Sequence, residues 1–478
     1  MARDRARYYT ARLSALKRKT NLNLAPSGAQ PTVVPRSEHP ISRAAISANA
    51  LRVLYRLKEG GYQAFLVGGS VRDLLLGLQP KDFDIATNAS PDEVRALFRN
   101  CRLIGRRFRL AHVYFGNDVV EVATFRAAHQ WQPEERDEDE WQPTDPAAQR
   151  VLDARGRILR DNVYGTIEED VWRRDFTANA LYYNIEDFSV WDYVGGVEDA
   201  RQRILRMIGD PETRYREDPV RMLRAVRFAA KLDFEIHADT AAPIPKLAWM
   251  LDGVPPARLF DEVNKIFLAG SAQAAFQLLE RLQLLEHLFP DLASALQDAP
   301  AGGSARELVR LGLQGTDERV REEKSVTPTF LFAILMWPAV QRAYAKLARG
   351  NDGDPQQLLE ACDQVTARQQ ARVAIPKRFT LPLRELVGLQ PRFERREGRR
   401  ALRLLNHPRF RAAYDFLVLR AAAGEADAEL AKWWTDIQSA SADERIARVE
   451  SEGPVPGGAA DGPRRRRRRR RRRPPAAS

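Results

Sequence analysis

The stretch Leu66-Val-Gly-Gly-Ser-Val-Arg-Asp-Leu-Leu-Leu-Gly-Leu-Gln-Pro-Lys-Asp-Phe-Asp-Ile85 constrains this chain more than any other. It reads as an apolar strand, a two-glycine turn, a short helix and a second strand carrying two acids. Asp82 and Asp84 stand at i and i+2, which on a strand puts both carboxylates on one face. Side by side they repel, and a divalent cation between them removes the conflict. Gly68 and Gly69 allow backbone N–H groups to approach a ligand at a helix N-terminus, where the dipole favours phosphate. Arg72, one turn in, points toward the same place. A phosphate cradle followed by an acid pair outlines a nucleotidyl-transfer site. Alone, an Asp-x-Asp is more often a pair of surface acids, so the decision rests on what surrounds it.

What surrounds it is an α+β unit. From Ser42 the apolar residues Ile46, Ala50, Val53, Leu54 and Leu57 share one helical face, and Gly60-Gly61 ends the helix. Tyr62 to Val67 is the first strand of the opening stretch. Ser90-Pro-Asp-Glu93 supplies an N-cap, a proline at the first helical position and a capping-box acid. Three strand-like runs follow, Cys101 to Arg109, Ala111 to Gly116 and Val119 to Arg126, which completes a five-stranded sheet. Glu121 sits among Val119, Val120 and Val122. It either faces the Asp82/Asp84 pair, which relieves the cost of burying a carboxylate, or lies on an edge strand facing water.

Ala127 to about Leu152, with Glu134 to Glu140 between Trp131 and Trp141, is too long and too acidic for a packed connection and reads as a mobile loop. Order returns at Arg160. In Asp170-Val-Trp-Arg-Arg-Asp-Phe-Thr-Ala-Asn-Ala-Leu-Tyr-Tyr-Asn184, Arg174, Asp175 and Asn179 lie beside an apolar helix. Asp175 and Asn179, four apart, share a helical face suited to a ribose. Further on, Pro219 opens a helix that Asp218 caps. Asp218, Arg221, Arg224 and Arg227 recur every three residues and line one slowly drifting stripe, apart from the apolar Val220, Leu223 and Val226. Three arginines on one face call for an anion, and the acceptor of Asp218 beside the donor fork of Arg221 suits the edge of a base. From Pro255 onward the pattern is helical almost throughout, without legible chemistry, and is expected to grip RNA.

Charge and cysteine content bound the rest. The run Arg464 to Arg473 supplies ten of the twelve net positive charges, leaving +2 for everything else. Its flanks hold nothing that builds a core, so residues 451–478 read as a disordered tail that seeks a polyanion, RNA foremost. No window approaches the length of apolar chain that spans a bilayer, so no membrane partner is expected. Two cysteines without ligand spacing, Cys101 and Cys362, argue against a disulfide framework and for a reducing cytoplasm. The expected organisation is a flexible basic leader (1–41), a catalytic head (42–190), a helical base-binding neck (191–270), a helical RNA-binding body (271–450) and the arginine tail (451–478).

Five blocks in order carry a resemblance: Leu66 to Asp73, Lys81 to Ile85, Arg173 to Leu181, Glu217 to Phe228, and Arg258 to Glu262. Together they resemble the bacterial poly(A) polymerase and tRNA CCA-adding enzyme family, the second class of polymerase-beta-type nucleotidyltransferases, from about His39 to about Gly270. The resemblance implies a nucleotidyltransferase head followed by an all-α neck and body. It implies that Asp82 and Asp84 bind two Mg²⁺ ions and that ATP is the substrate. Gly69, Arg72 and Arg174 would hold the triphosphate, while Asp218, Arg221, Arg224 and Arg227 would meet base and phosphates. Two candidates stand for a third active-site acid: Glu121, at the position of the structural third carboxylate, and Asp175, within an active-site block. Leu103 to Val113 is similar to the block that marks poly(A) polymerases. The implied activity is template-independent transfer of AMP to the 3′ ends of mRNA and small RNAs, with roles in mRNA polyadenylation and RNA decay and with RNA-decay proteins as partners. CCA addition to tRNA is the alternative, and an RNA-binding protein that merely keeps the fold is the non-enzymatic one.

Overall fold

The computed structural model describes residues 30–105, 109–127, 163–298, 303–348 and 354–451, with the backbone of the short strands β7 (Arg150–Leu152) and β8 (Ile158–Asp161). The arginine run, most of the expected leader and most of the acidic loop lie outside the described residues. Two compact units divide between Leu383 and Arg384, inside the expected body rather than at its start.

The first unit is built on one mixed sheet. Its strands are β1 (Thr32–Val34), β2 (Ala64–Val67), β3 (Asp84–Thr87), β4 (Cys101–Ile104), β5 (Leu110–Phe115), β6 (Asp118–Thr124), β9 (Leu181–Asn184) and β10 (Val190–Asp192). They lie in the order β1-β10-β9-β2-β3-β6-β5-β4, antiparallel except for the parallel pair β3/β6. The five strands expected from sequence form five of the eight, contiguous from β2 to the edge strand β4. The other three correct that count. Thr32–Val34, in the expected leader, pairs with β10, and nearby Ile41 is buried in the core. Leu181–Asn184 belongs to a segment that also fits a helix, but pairing on both sides, with β2 and β10, decides for strand.

Period-two alternation divides the sheet's side chains between two cores. Leu66, Ile85, Val122 and Tyr183 pack on one face against Ala50, Val53, Leu54 and Leu57 of α1 (Ala48–Glu59), the helix read from its apolar stripe. Phe65, Val67, Ala86 and Tyr182 pack on the other face against Phe125, Val171 and Ile208. Helix α2 (Gly69–Leu75) follows β2, and α3 (Pro91–Leu97), with the expected capping box, begins the crossover from β3. Helix α4 (Ile167–Trp172) precedes β9, and α5 (Gly196–Arg201) follows β10. Helices α6 (Pro211–Glu217) and α7 (Val220–Leu232) form the neck and lead to α8 (Pro256–Phe267).

Beyond α8 the unit is helical. Phe260 and Phe332 stack at 5.9 Å, and Phe289 joins them at 6.3 Å from Phe332. At Gly312 a Cβ would meet Ile334 side-chain atoms at 2.8 Å, so the helices Ser304–Arg321 and Pro328–Ala348 approach as closely as they do only because no side chain intervenes. In the second unit, Trp434 packs edge-on against Phe393 at 5.1 Å and donates its indole N–H to the Phe393 carbonyl at 2.9 Å. No helix among the described residues is long and apolar enough to cross a membrane.

Candidate active site

Sheet register brings the acids to the glycine turn. Val67 pairs with Asp84, so the first residue of β3 lies beside the end of β2 that runs into Gly68. Ile85 pairs in parallel with Val122, and one step back the same register sets Asp84 next to Glu121, both on the face of Ala86 rather than that of Ile85. Glu121 in turn pairs with His112, whose Nε2 is 3.3 Å from Glu121 Oε2. Asp82 precedes the strand and lies in the connection from α2, so the strand geometry expected for the acid pair holds for Asp84 alone.

Asp84 is pushed up to about 6, by burial first and then by Glu121, with Asp82 adding to the rise and Arg174 and His112 opposing it. By area the residue meets solvent, while its carboxyl is crowded by protein. The two like charges, Glu121 and Asp82, raise the carboxyl whatever its exposure. No ion pair to a cation is recorded for Asp82 or Asp84 among the described residues, and no preformed cluster of three or more His, Cys, Asp or Glu metal ligands is present among them. The donor set is thus two hard carboxylates with a third in electrostatic range. That fits Mg²⁺, which keeps several waters and completes its shell with substrate oxygens.

The phosphate-facing half is built around Gly68. Its backbone angles, φ 72° and ψ −132°, suit glycine, and its N–H donates to the Leu181 carbonyl at 3.1 Å. A Cβ there would stand 3.5 Å from Arg174 Nη1. Gly69 opens α2, and a Cβ on it would stand 3.4 Å from Arg72 Nη2. Arg72 is buried, gripping Asp73 at 2.6 Å and the side-chain oxygen of Asn179. Arg174 donates to Asp170 at 3.0 Å, to the Tyr182 hydroxyl at 2.8 Å and to the Asn179 carbonyl at 3.4 Å.

The organiser of this half is Asp170, absent from the residues singled out by sequence. It is 1% exposed and accepts from Arg173 at 2.8 Å, from Arg174 and from the Tyr182 hydroxyl at 2.6 Å. Burial pushes its carboxyl up, but the two guanidiniums and the hydroxyl outweigh burial and hold it well below the usual carboxylate range. The expected helical face for Asp175 and Asn179 is not formed. Helix α4 ends at Trp172, Thr177–Asn179 is one 3₁₀ turn, and the chain then enters β9. Asn179 therefore orients Arg72, while Asp175 turns toward the neck.

There Asp175 meets Arg224 at 2.5 Å. Burial raises the Asp175 carboxyl, and Arg224 more than offsets it, so the acid titrates below its ordinary value. Of the two third-acid candidates, the sheet register sets Glu121 beside Asp84, whereas Asp175 is paired with Arg224 of the neck. The arginine stripe on α7 is also corrected. Arg221 pairs with Glu217 at 2.8 Å, Arg224 with Asp175, and Arg227 with Glu262 at 2.7 Å, while Asp218 accepts from Arg258 at 2.6 Å. The spacing of three reports the stripe; Glu217, four residues before Arg221, is a local partner, whereas Asp175 and Glu262 come from other segments and leave no local signal. Phe228, also missed, has the guanidiniums of Arg227, Arg224 and Arg72 at 4.4, 5.3 and 6.0 Å from its ring centre, which ties α2 to α7.

A mixed sheet with an unpaired acid pair at its glycine turn, arginines beside that turn and a helical neck define a nucleotidyltransferase. Solved structures agree on the fold. A tRNA-processing enzyme in apo form superposes with a TM-score of 0.55 at 21% identity, covering 84% of this chain and 93% of the other. The Thermotoga maritima CCA-adding enzyme complexed with tRNA gives 0.53 at 18% identity, with 84% and 85% covered. The Poly A polymerase head domain model matches residues 64–206, the probable RNA and SrmB-binding site of polymerase A matches 233–296, and the polymerase A arginine-rich C-terminus matches 352–473. Poly(A) polymerase I of Salmonella typhimurium is 49% identical over 419 residues, 87% of each chain, and that of Haemophilus influenzae is 42% identical over 88% of this chain and 91% of its own. The CCA-adding enzyme of Bacillus velezensis matches at 34% over 50% of this chain and 55% of its own. The chain belongs to the bacterial poly(A) polymerase I family.

Proposed function

We infer that the protein is a polynucleotide adenylyltransferase that adds AMP from ATP to RNA 3′ ends without a nucleic-acid template, releasing diphosphate. The observation that carries the reading is Asp84, crowded by Glu121 and Asp82 beside Gly68 and, like Asp82, without a cationic partner among the described residues, whereas Asp73, Asp170, Asp175 and Glu121 each meet an arginine or a histidine. An RNA-binding module that only kept the fold would have no use for that uncompensated charge. Preference for adenylate over a CCA end is supported by likeness to poly(A) polymerase I along almost the whole chain, against likeness to CCA-adding enzymes over half of it.

In this reading Asp82 and Asp84 would hold two Mg²⁺ ions, which when bound would supply the positive charge that nucleotidyl transfer needs. Gly68 and Gly69 leave room for the triphosphate, and Arg72 and Arg174, preset by Asp73, Asn179 and Asp170, need little reorganisation to meet it. Glu121 supports the acid pair. Asp218 and Arg221 face the base, with Arg224 and Arg227 fixed behind them by Asp175 and Glu262. The helical body and the arginine tail hold RNA, and RNA-decay proteins dock on the region matching the RNA- and SrmB-binding model. We place the enzyme in the cytoplasm.

Purified protein incubated with ATP, Mg²⁺ and a short RNA is expected to give long adenylate ladders. Incorporation of CTP first, stopping after three additions, would replace the reading with CCA addition. Asp82→Ala and Asp84→Ala should each abolish extension and leave RNA binding intact; an Asp84→Ala enzyme that still extends would remove the metal role.

A further inference from the structure

We propose that Arg214 is a positioning residue for nucleotide choice, its buried guanidinium tying the backbone that carries Arg174 to the Glu217–Arg221 pair on the neck. The proposal rests on the reading above, in which Arg174 meets phosphate and Arg221 meets the base.

Arg214 lies on α6, and its side chain is 5% exposed. Nη2 donates to the carbonyls of Arg173 and Arg174, at 2.8 and 2.5 Å, just past the C-terminus of α4, where a cation is favoured. Nη1 donates to Glu217 Oε2 at 2.8 Å, and the same oxygen accepts from Arg221 Nη1 at 2.8 Å. Arg221 Nη1 also donates to the backbone carbonyl of Arg214 at 2.8 Å. One planar fork thus spans three acceptors on two segments, which an ammonium cannot do with the same geometry. Its Nε has no hydrogen-bond partner among the described residues. A buried cation with an unmet donor is a costly helix cap, which argues for a role beyond capping. Burial and Arg221 push the guanidinium down to about 10, so it stays charged at neutral pH.

The consequence is mechanical. The segment holding Arg174 and the helix holding Arg221 cannot shift independently while Arg214 bridges them. A base that fits Arg221 and Asp218 therefore sets the α-phosphate in line, and a base that does not fit leaves it misplaced. Displacement of a reacting group by about 1 Å costs on the order of 10²-fold in rate. Arg214 turns base fit into that displacement.

The test is single-nucleotide incorporation by the full-length protein on a short RNA, with ATP and with CTP, for wild type, Arg214→Lys, Glu217→Gln and the double variant. Arg214→Lys should lower kcat/KM for ATP about 30-fold and for CTP no more than about threefold, narrowing discrimination about tenfold. Glu217→Gln should narrow it in the same direction, and the double variant should be no worse than the poorer single one. A role in capping alone would lower Tm and reduce both nucleotides in parallel; an unchanged ATP-to-CTP ratio in either folded variant overturns the proposal. Should Arg214→Lys not fold, Glu217→Gln, on a side chain 23% exposed, carries the same decision. A wild type that adds no adenylate sinks the functional reading itself, whereas a normal wild type with unaltered variants sinks only Arg214.

Discussion

Asp170→Asn removes one charge from the most buried acid of the site and leaves the shape unchanged. Breaking a buried ion pair by removing one partner costs about 3–5 kcal/mol. Two features pull the estimate down. Arg173 and Arg174 keep 20% and 18% of their side-chain surface in water, and the amide oxygen retains one acceptor position. The expected cost is therefore at the lower end, about 3 kcal/mol. For a folded unit of this size each kcal/mol moves Tm by about 2 °C, so the expected loss is about 6 °C. The measurement is thermal unfolding of wild type and variant across pH. A carboxyl held low in the folded state contributes its stability above the unfolded pKa and loses it as pH falls through the folded one. The gap between the two proteins should stay constant from about pH 8 to 5 and close only below the unfolded value of about 3.9. A gap under about 2 °C at neutral pH, or one that closes between pH 7 and 5, refutes the account of Asp170 as the paired anchor of Arg174.

Metal affinity should depend on pH through Asp84. Its carboxyl titrates at about 6, so a proton competes with Mg²⁺ below that pH. Calorimetric titration should show affinity flat between about pH 8 and 7 and weakening by up to about tenfold per unit below about pH 6, and an affinity still flat at about pH 5 would contradict it. Without metal the sign for stability is the reverse of that for Asp170: the folded form takes up the proton first, so lowering pH from 6 toward 4 favours the fold through this group. At Gly68, φ 72° and the nearby Arg174 predict that Gly68→Ala costs about 1–3 kcal/mol and raises KM for ATP. Gly61→Ala, with φ 84° and nothing within 4 Å of the added methyl, should lower Tm without moving KM; equal KM effects would detach Gly68 from the nucleotide.

Much of the head was legible because its signals are local. The apolar stripe of α1, the capping box of α3, the continuous apolar run of β2 and the strand-like runs of β5 and β6 each lie within a dozen residues, and all were readable in sequence. Segments that failed had two local solutions. Arg173 to Asn184 fits a helix by spacing and a strand by its Leu-Tyr-Tyr run, and only the presence of β2 and β10 on either side chose between them. Thr32–Val34 is three residues long and becomes a strand only because β10 offers an edge.

By itself the sequence determined where a nucleotidyl-transfer site would lie, since a glycine turn, an acid pair and an arginine-bearing neck are compositional facts with short-range geometry. It could not determine which charges remain available. Asp175, Glu217 and Glu262 neutralise the arginines of α7, Asp170 secures Arg174, and Arg214 joins the two, through pairs that reach as far as 49 residues along the chain. The cost of a charge depends on burial and on the nearest opposite charge, and both are settled only when the sheet and neck pack together. Asp84 stands, at the end of that packing, beside two acids and without an arginine partner among the described residues.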